Sequence, residues 1–205
     1  MPCCPIKATH ITIGPNTAQR QEAGRIVTIW TVSRDADGYR LDAPHHAARC
    51  LVGKAGLIAA ADKREGDMAT PVGDWPLRYV YFRPDRVTLP DTDLPAIALT
   101  PDMGWCDDPE HASYNMPVER PFAASHEELW REDSLYDVII VLGHNDSPPE
   151  PFLGSAVFFH LHEADTRHTA GCVAVPQADM MTFLATANTD TVLRISNGPM
   201  PEAGS

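Results

Sequence analysis

Proline and glycine interrupt this sequence so often that long helices are not expected. The 205 residues include 19 prolines and 13 glycines spread along the chain, and both residue types end or break helices. The segments between them are short and apolar, and many alternate with a period of two residues, as β-strands do. The sequence therefore predicts a mostly β domain with one or two short helices.

The individual elements follow from these local patterns. The predicted strands are 10–13, 25–32, 39–41, 49–54, 74–82, 96–99, 137–142, 155–161 and 191–195. The predicted helix covers 177–186, with Pro176 at its first turn. Ser125 and Glu128 have the spacing of a capping box, which predicts one or two helical turns there. Residues 104–109 are predicted to form a turn.

The chain is expected to divide into three parts. Residues 1–24 form an N-terminal segment with the first strand, 25–198 form a single domain, and 199–205 form a tail. Within the domain, residues 83–134 are dense in proline and aspartate and show little periodicity. Such a long excursion in a compact domain predicts an insertion, or a cap over a cleft.

Charge and cysteine content exclude several classes of protein. The net charge of −12 leaves no basic stripe for phosphates, so we expect no nucleic-acid partner. No apolar run approaches the ~18 residues of a membrane span, and five cysteines without a CxxC pair do not suggest a disulfide framework. The start of the chain shows no secretory signal. We therefore expect a cytoplasmic protein, or a periplasmic or cell-wall protein if the start is incomplete.

Residues 154–179 carry the most distinctive chemistry. The predicted strand places Ser155, Val157, Phe159 and Leu161 on one face, and Ala156, Phe158, His160 and His162 on the other. A polar loop then leads to Gly171 and Cys172. A thiol at a sharp turn, after a strand that carries histidine, fits a nucleophile with a neighbouring base and with backbone N–H groups for an oxyanion. By parity, either His160 or His162 is placed to be the base.

Two alternatives to the nucleophile stay open on the residues alone. A cysteine beside valines is often a small buried core residue. The second alternative is a zinc site, whose plausible ligands are His160, His162, His168 and Cys172. No HExxH spacing supports the metal, and the interpretation that we carry forward needs neither a metal nor a cofactor.

Two separated motifs give the sequence a family resemblance. His160 on a strand, a loop, and then Thr169-Ala170-Gly171-Cys172 resemble the YkuD family of L,D-transpeptidases, whose motif is Ser/Thr-x-Gly-Cys after a strand histidine. Residues 65–73, which read EGDMATPVG, are similar to the early GD-x-x-TP-x-G stretch of that family. The resemblance spans most of residues 50–195.

The resemblance implies a β-sandwich-like L,D-transpeptidase catalytic domain. Cys172 would be the nucleophile, His160 its base, and Gly171 a backbone contributor to the oxyanion hole. The implied reaction cleaves the bond between diaminopimelate and D-Ala in a peptidoglycan tetrapeptide stem through a thioester. The implied partners are peptidoglycan stem peptides or muropeptides.

Three departures from the family concern how the substrate is held. The loop from 161 to 168 is shorter than usual, Ala170 replaces a common histidine, and Ala174 stands where many members carry Asn or Arg. Arg167 or Arg64 is therefore predicted to supply the missing cation. Thr169 and His162 are further predicted substrate contacts, although Thr169 is equally suited to bind its own loop.

The acidic balance of the chain makes an acidic substrate difficult to hold without local positive charge. A basic patch at the groove is therefore expected, with Lys63 and Arg64 as its candidates, although both are explained equally by solvation on the surface.

Three functions follow from these features. The first is an L,D-transpeptidase. The second is a cytoplasmic L,D-carboxypeptidase of the same fold that acts in peptidoglycan recycling. The third is a non-catalytic or metal-binding module that keeps the fold alone.

Overall fold

The computed structural model describes residues 27–198, so the predicted strand 10–13 and the tail lie outside the described residues. The described part contains one α-helix and thirteen strands. They are β1 (Thr28–Asp35), β2 (Gly38–Ala43), β3 (His46–Cys50), β4 (Leu57–Ala59), β5 (Thr70–Phe82), β6 (Ala96–Ala98), β7 (Met103–Cys106), β8 (Pro117–Glu119), β9 (His126–Glu128), β10 (Val138–Leu142), β11 (Phe158–Leu161), β12 (Val173–Val175), α1 (Gln177–Leu184) and β13 (Thr191–Ile195). The prediction of a mostly β fold is confirmed.

Ten strands form one sheet that curls towards closure. Its order is β12-β11-β10-β5-β13-β1-β2-β3, with β4 and β6 also paired to β5. The two ends of this order meet, because Leu51 and Ala174 exchange backbone hydrogen bonds of 2.8 and 2.9 Å. The result is a barrel-like arrangement, and β7, β8 and β9 form a separate small sheet.

The interior of this curled sheet is the main core. Alternate residues of β10, namely Val138, Ile140 and Leu142, lie in it. Phe183 of α1 packs beside Trp30 and Phe159, with ring centroids 5.3 and 6.0 Å away. Each buried aromatic side chain of this size contributes about 2–3 kcal/mol through the hydrophobic effect, so α1 is fixed against the sheet.

A second core lies on the outer face of the same strands. Ile139 and Val141 of β10 face it, together with Phe158 and Cys172. Leu99, Trp105 and Leu129 pack there from residues 83–134. Because both faces of β10 are covered, all five of its residues are buried, as expected of a continuous apolar strand.

The structure also gives the two faces predicted for the strand before His160. Val157, Phe159 and Leu161 belong to the main core, whereas Phe158 belongs to the outer one. His160, two residues further, faces outward towards the functional cleft. The strand begins at Phe158, later than the predicted start at residue 155.

Two local predictions in the segment 83–134 were wrong. Residues 126–128 form β9, and 103–106 form β7, where a helical turn and a turn were expected. The two strands pair with each other, with Trp105 opposite Glu127. A capping box would satisfy free backbone N–H groups at the start of a helix. Here backbone N–H groups of this segment bond to a neighbouring strand instead, so strand pairing prevails over the local helical pattern.

Several other strands differ from their predicted bounds, and β1, for example, ends at Asp35 rather than at residue 32. β3 covers His46–Cys50 rather than 49–54. β5 begins at Thr70, four residues before the predicted start at 74, because Thr70 and Val72 pair with β4. Within residues 27–198, no helix is long and apolar enough to cross a membrane.

Candidate active site

A cleft of about 410 Å³ brings the predicted nucleophile and base together. Cys172 and His160 both line it, as do Thr169 and Gly171. Residues 63–68 contribute one side of the cleft. The segment 83–134 contributes another side through Asp107, Glu127 and Arg131.

Cys172 sits immediately before β12 and is only 7% exposed. Its Sγ donates to the Ala156 carbonyl at 3.1 Å and accepts from the Phe158 N–H at 3.3 Å. Burial raises the pKa of the thiol to about 12, although the Phe158 N–H acts in the opposite direction. The resting side chain is therefore a neutral thiol at pH 7.

Glycine is required at the position before Cys172. Gly171 has φ +144°, and a Cβ there would lie 3.0 Å from the Ala69 carbonyl oxygen. A side chain would therefore both strain the backbone and collide with the neighbouring chain. The turn that presents Cys172 depends on this residue.

His160 lines the same cleft as Cys172. It is 6% exposed, and its Nδ1 donates to the Leu161 carbonyl at 2.7 Å. Nε2 is then the acceptor nitrogen of the ring. Burial lowers the pKa of His160 to about 4, against the hydrogen bonds to the Leu161 and Leu135 carbonyls. The imidazole is thus a free base at neutral pH.

Tyr136 and Glu127 form a further buried contact around His160. The Tyr136 ring packs edge-on against the His160 ring, with centroids 5.2 Å apart. Its hydroxyl donates to Glu127 Oε2 at 3.2 Å. Burial raises the pKa of Glu127, and the hydrogen bond from Tyr136 acts in the opposite direction. The contact restricts the orientation of the His160 ring.

Thr169 stabilises the turn that presents Cys172. Its Oγ1 donates to the Cys172 carbonyl at 2.7 Å and accepts from the Gly171 N–H at 3.1 Å. Thr70 Oγ1 donates to the same Cys172 carbonyl at 3.3 Å. The Gly171 N–H, predicted to hold an oxyanion, is therefore already engaged within the turn.

Of the predicted cations, the structure places Lys63 in the cleft and Arg64 outside its lining. Lys63 is 4% exposed and forms an ion pair with Asp67. Arg64 is exposed, and its Nη1 donates to the carbonyls of Ala61 and Lys63 at 3.0 and 2.6 Å. The patch predicted from this Lys-Arg pair thus contributes a single cation to the cleft.

Two other predicted substrate contacts lie away from the lining of the cleft. Arg167 is exposed, and the His162 ring makes a 3.1 Å hydrogen bond to the Glu163 carbonyl. His168 does line the cleft. Among residues 27–198, no group of three or more His, Cys, Asp or Glu side chains is placed to hold a metal ion.

Asn115 is a functional residue that sequence reasoning missed. It is buried, and its Oδ1 accepts from the Ala156 N–H at 3.0 Å and from Trp105 Nε1 at 2.9 Å. Its Nδ2 donates to the carbonyls of Asn145 and His144 at 2.7 and 3.1 Å. It thereby positions the Ala156 peptide, whose carbonyl accepts the Cys172 thiol. No local pattern indicates this role, because every partner is distant in sequence.

Replacing Asn115 with alanine is expected to lower the free energy of unfolding by about 3 kcal/mol. The buried N–H groups of Ala156 and Trp105 would lose their acceptor, and each unpaired group costs about 1–3 kcal/mol. Urea denaturation of the variant measures the effect. Asn197→Ala, at an exposed position, is the control and should change stability by less than about 0.5 kcal/mol. Equal stability of the two variants would contradict the assignment.

The burial of His160 predicts a specific loss of stability in acid. Its folded pKa of about 4 lies below the unfolded value of 6.5, so the unfolded chain binds the proton more readily. The free energy of unfolding therefore keeps its full value above pH 6.5. It decreases as the pH falls towards 4, by up to about 3 kcal/mol. The measurement is the difference in unfolding free energy between wild type and His160→Gln at pH 7 and pH 4.5. A difference independent of pH would contradict the buried neutral imidazole.

A comparison with protein-family models identifies the family of this chain. The family model described as the YkuD L,D-transpeptidase catalytic domain matches residues 25–195. A comparison with curated proteins finds no match. Because the family match covers most of the sequence, the chain belongs to the YkuD family of L,D-transpeptidase catalytic domains.

Proposed function

We propose that this protein is a cysteine acyltransferase that acts on peptidoglycan tetrapeptide stems. The observation that carries the proposal is the pairing in one cleft of a buried thiol, Cys172, with a buried free-base imidazole, His160. Family membership supports an enzyme of the L,D-transpeptidase type. The substrate, the thioester and the roles of the residues are our proposal.

The reaction begins with a neutral pair rather than a preformed thiolate. The thiol leaves the Ala156 carbonyl and gives its proton to Nε2 of His160 as sulfur attacks the diaminopimelate carbonyl carbon. A carbon–sulfur bond forms, and the carbonyl electron pair moves onto oxygen. When this intermediate collapses, the carbon–nitrogen bond breaks, and the D-Ala amine leaves with the proton from His160.

The charges around the cleft support a substrate with both signs of charge. Arg131 lines it, together with the acidic residues Glu65, Asp107 and Glu127. A stem that contains diaminopimelate carries carboxylates and a side-chain ammonium. Arg131 can therefore pair with a carboxylate of the stem and an acidic side chain with its ammonium, although the chain as a whole is strongly acidic.

The acceptor decides between transpeptidation and hydrolysis. Residues of the segment 83–134 form one side of the cleft through Asp107, Glu127 and Arg131. A cleft that is bounded on this side would favour a small acceptor such as water. We therefore keep an L,D-carboxypeptidase, in which water resolves the thioester, as the second candidate function.

Product analysis by mass spectrometry separates these candidates. A disaccharide-tetrapeptide is incubated with the protein, with and without a second stem or a free amine as acceptor. A cross-linked or amine-exchanged product supports a transpeptidase, and the tripeptide alone supports a carboxypeptidase. If the tetrapeptide stays intact under both conditions, the proposed activity is wrong.

A further inference from the structure

We propose that Lys63, held by Asp67, donates a hydrogen bond to the oxyanion that forms when Cys172 attacks a carbonyl group. This inference deepens the proposed function and rests on it for the identity of the natural substrate. It assigns a catalytic role to a lysine that lies more than one hundred residues from Cys172 in sequence.

Lys63 is built into the protein rather than displayed on its surface. Its side chain is 5% exposed, and Asp67 is its carboxylate partner. Asp67 is itself fixed, because it also accepts from the N–H groups of Arg64 and Ala69 at 2.8 and 2.9 Å. Burial opposes the ionisation of Asp67, but these hydrogen bonds and the one from Lys63 hold its pKa below the usual value.

The ammonium group has a donor to spare for a ligand. Lys63 Nζ donates to Asp67 Oδ1 and, at 3.2 Å, to the Arg64 carbonyl. An ammonium group has three N–H donors, and these are its two hydrogen bonds within residues 27–198. Because Lys63 also lines the cleft, we infer that the third donor faces a ligand bound there.

Two glycines set the position of this ammonium group beside the nucleophile. Nζ lies 3.6 Å from where a Cβ of Gly171 would be, directly before Cys172. A Cβ at Gly154 would lie 2.8 Å from Lys63 Cε. The lysine stem therefore packs against one glycine, and its charged end reaches the turn that carries the thiol.

One backbone donor of the turn is already occupied by another hydrogen bond. The Gly171 N–H is engaged by Thr169 Oγ1 at 3.1 Å, so it is not available to an oxyanion without breaking that bond. Lys63 also favours negative charge at the sulfur, since it acts to lower the pKa of Cys172 against the dominant effect of burial. Hydrogen-bond donors aimed at a developing charge in a water-poor site stabilise it strongly.

An oxyanion fits Lys63 better than a permanent carboxylate does. Asp67 already balances the lysine charge, so the pair has little net charge to attract a second full anion. Lys63 can still donate an N–H to the negative charge that develops on the carbonyl oxygen during the reaction. The Lys63 hydrogen bond forms as the carbonyl electron pair moves onto oxygen, and it weakens when the carbon–oxygen double bond returns.

Two reagents that attack the same sulfur test the proposal. p-Nitrophenyl acetate acylates a thiol through an oxyanion, whereas iodoacetamide alkylates it by displacement, without one. The tested variant is Lys63→Met with Asp67→Asn, because the paired change leaves no uncompensated buried carboxylate. Labelling at Cys172 is followed by peptide mass spectrometry, and folding by circular dichroism. Lys54→Met, an exposed lysine outside the cleft lining, is the matched control.

We expect acylation of Cys172 to fall about 10²-fold or more in the double variant, while alkylation changes by less than about threefold. Equal losses in both reactions would mean that Lys63 acts on the thiol alone and would overturn the proposal, as would unchanged acylation. A wild-type thiol that alkylates but does not acylate would also overturn it. If the double variant does not fold, Lys63→Met with Asp67→Ser makes the same comparison, because the serine hydroxyl can still accept from the Ala69 N–H and methionine has no donor.

These reactions do not use the peptidoglycan stem, so the two proposals fail separately. A protein that leaves the tetrapeptide intact but loses acylation in the Lys63 variant would retain the oxyanion role and lose the proposed substrate. A protein that cleaves the tetrapeptide with unchanged acylation in the variant would show the opposite.

Discussion

Replacing Cys172 with alanine is expected to reduce kcat/KM for tetrapeptide cleavage by at least about 10⁴-fold. The thiol supplies the atom that bonds to the substrate carbonyl, and removing a nucleophile from a catalytic unit has losses of this order. The fold should persist, because alanine fills most of the same space. The measurement is product formation by chromatography and mass spectrometry, with unfolding transitions recorded for both proteins.

Cys50→Ala is the matched control for this result. Cys50 is also buried, and burial also raises its pKa to about 12, but it lies in the main core rather than the cleft. We expect it to retain activity within about threefold. Comparable losses in the two variants would mean that a cysteine supports the fold rather than the chemistry, and Cys172 would lose its assigned role.

Replacing His160 with glutamine is expected to reduce kcat by about 10²–10⁴-fold, the range for a lost general base. Because the wild-type pair is neutral, the thiol depends on Nε2 to accept its proton during the attack. KM should change little, since the ring is buried beneath the substrate site rather than displayed to it. Steady-state kinetics on the tetrapeptide measures both constants.

The pH profile gives this variant a second readout. The base works only when it is neutral, and its pKa is lowered to about 4. The acid limb of wild-type kcat/KM should therefore fall near pH 4 rather than near pH 6.5. The glutamine variant should lack that limb. An acid limb near pH 6.5 in the wild type would contradict the buried free base.

Strands were predictable from the sequence where the local pattern of apolar and polar residues was sufficient to indicate them. The five apolar residues of β10 are buried because both sheet faces are covered, and the alternation around Phe159 and His160 indicated the correct faces. The segment 83–134 was not predictable in the same way. Its strands depend on pairing between β7 and β9, and local patterns carry no information about a distant partner.

His160 and Cys172 were indicated by the family resemblance of their motif, whereas the residues alone left His162 and a zinc site open. The structure lines one cleft with both His160 and Cys172. The choice between Lys63 and Arg64 cannot be made from sequence, because adjacent residues of an irregular loop point in different directions and Asp67 fixes which one turns inward. The role of Asn115 could not be predicted from the sequence for a related reason. Asn115 and Ala156 are far apart along the chain and come into contact only in the folded protein.

The central claim is that Cys172 carries the acyl group of the stem as a thioester. The most direct measurement is intact-protein mass spectrometry after rapid acid quenching of the protein with disaccharide-tetrapeptide. The account predicts an added mass equal to the disaccharide-tripeptide minus one water, located on the peptide that contains Cys172 and absent from Cys172→Ala. Two results would contradict the account. The first is cleavage of the tetrapeptide that produces no such adduct and that continues in Cys172→Ala, and the second is an adduct on another residue.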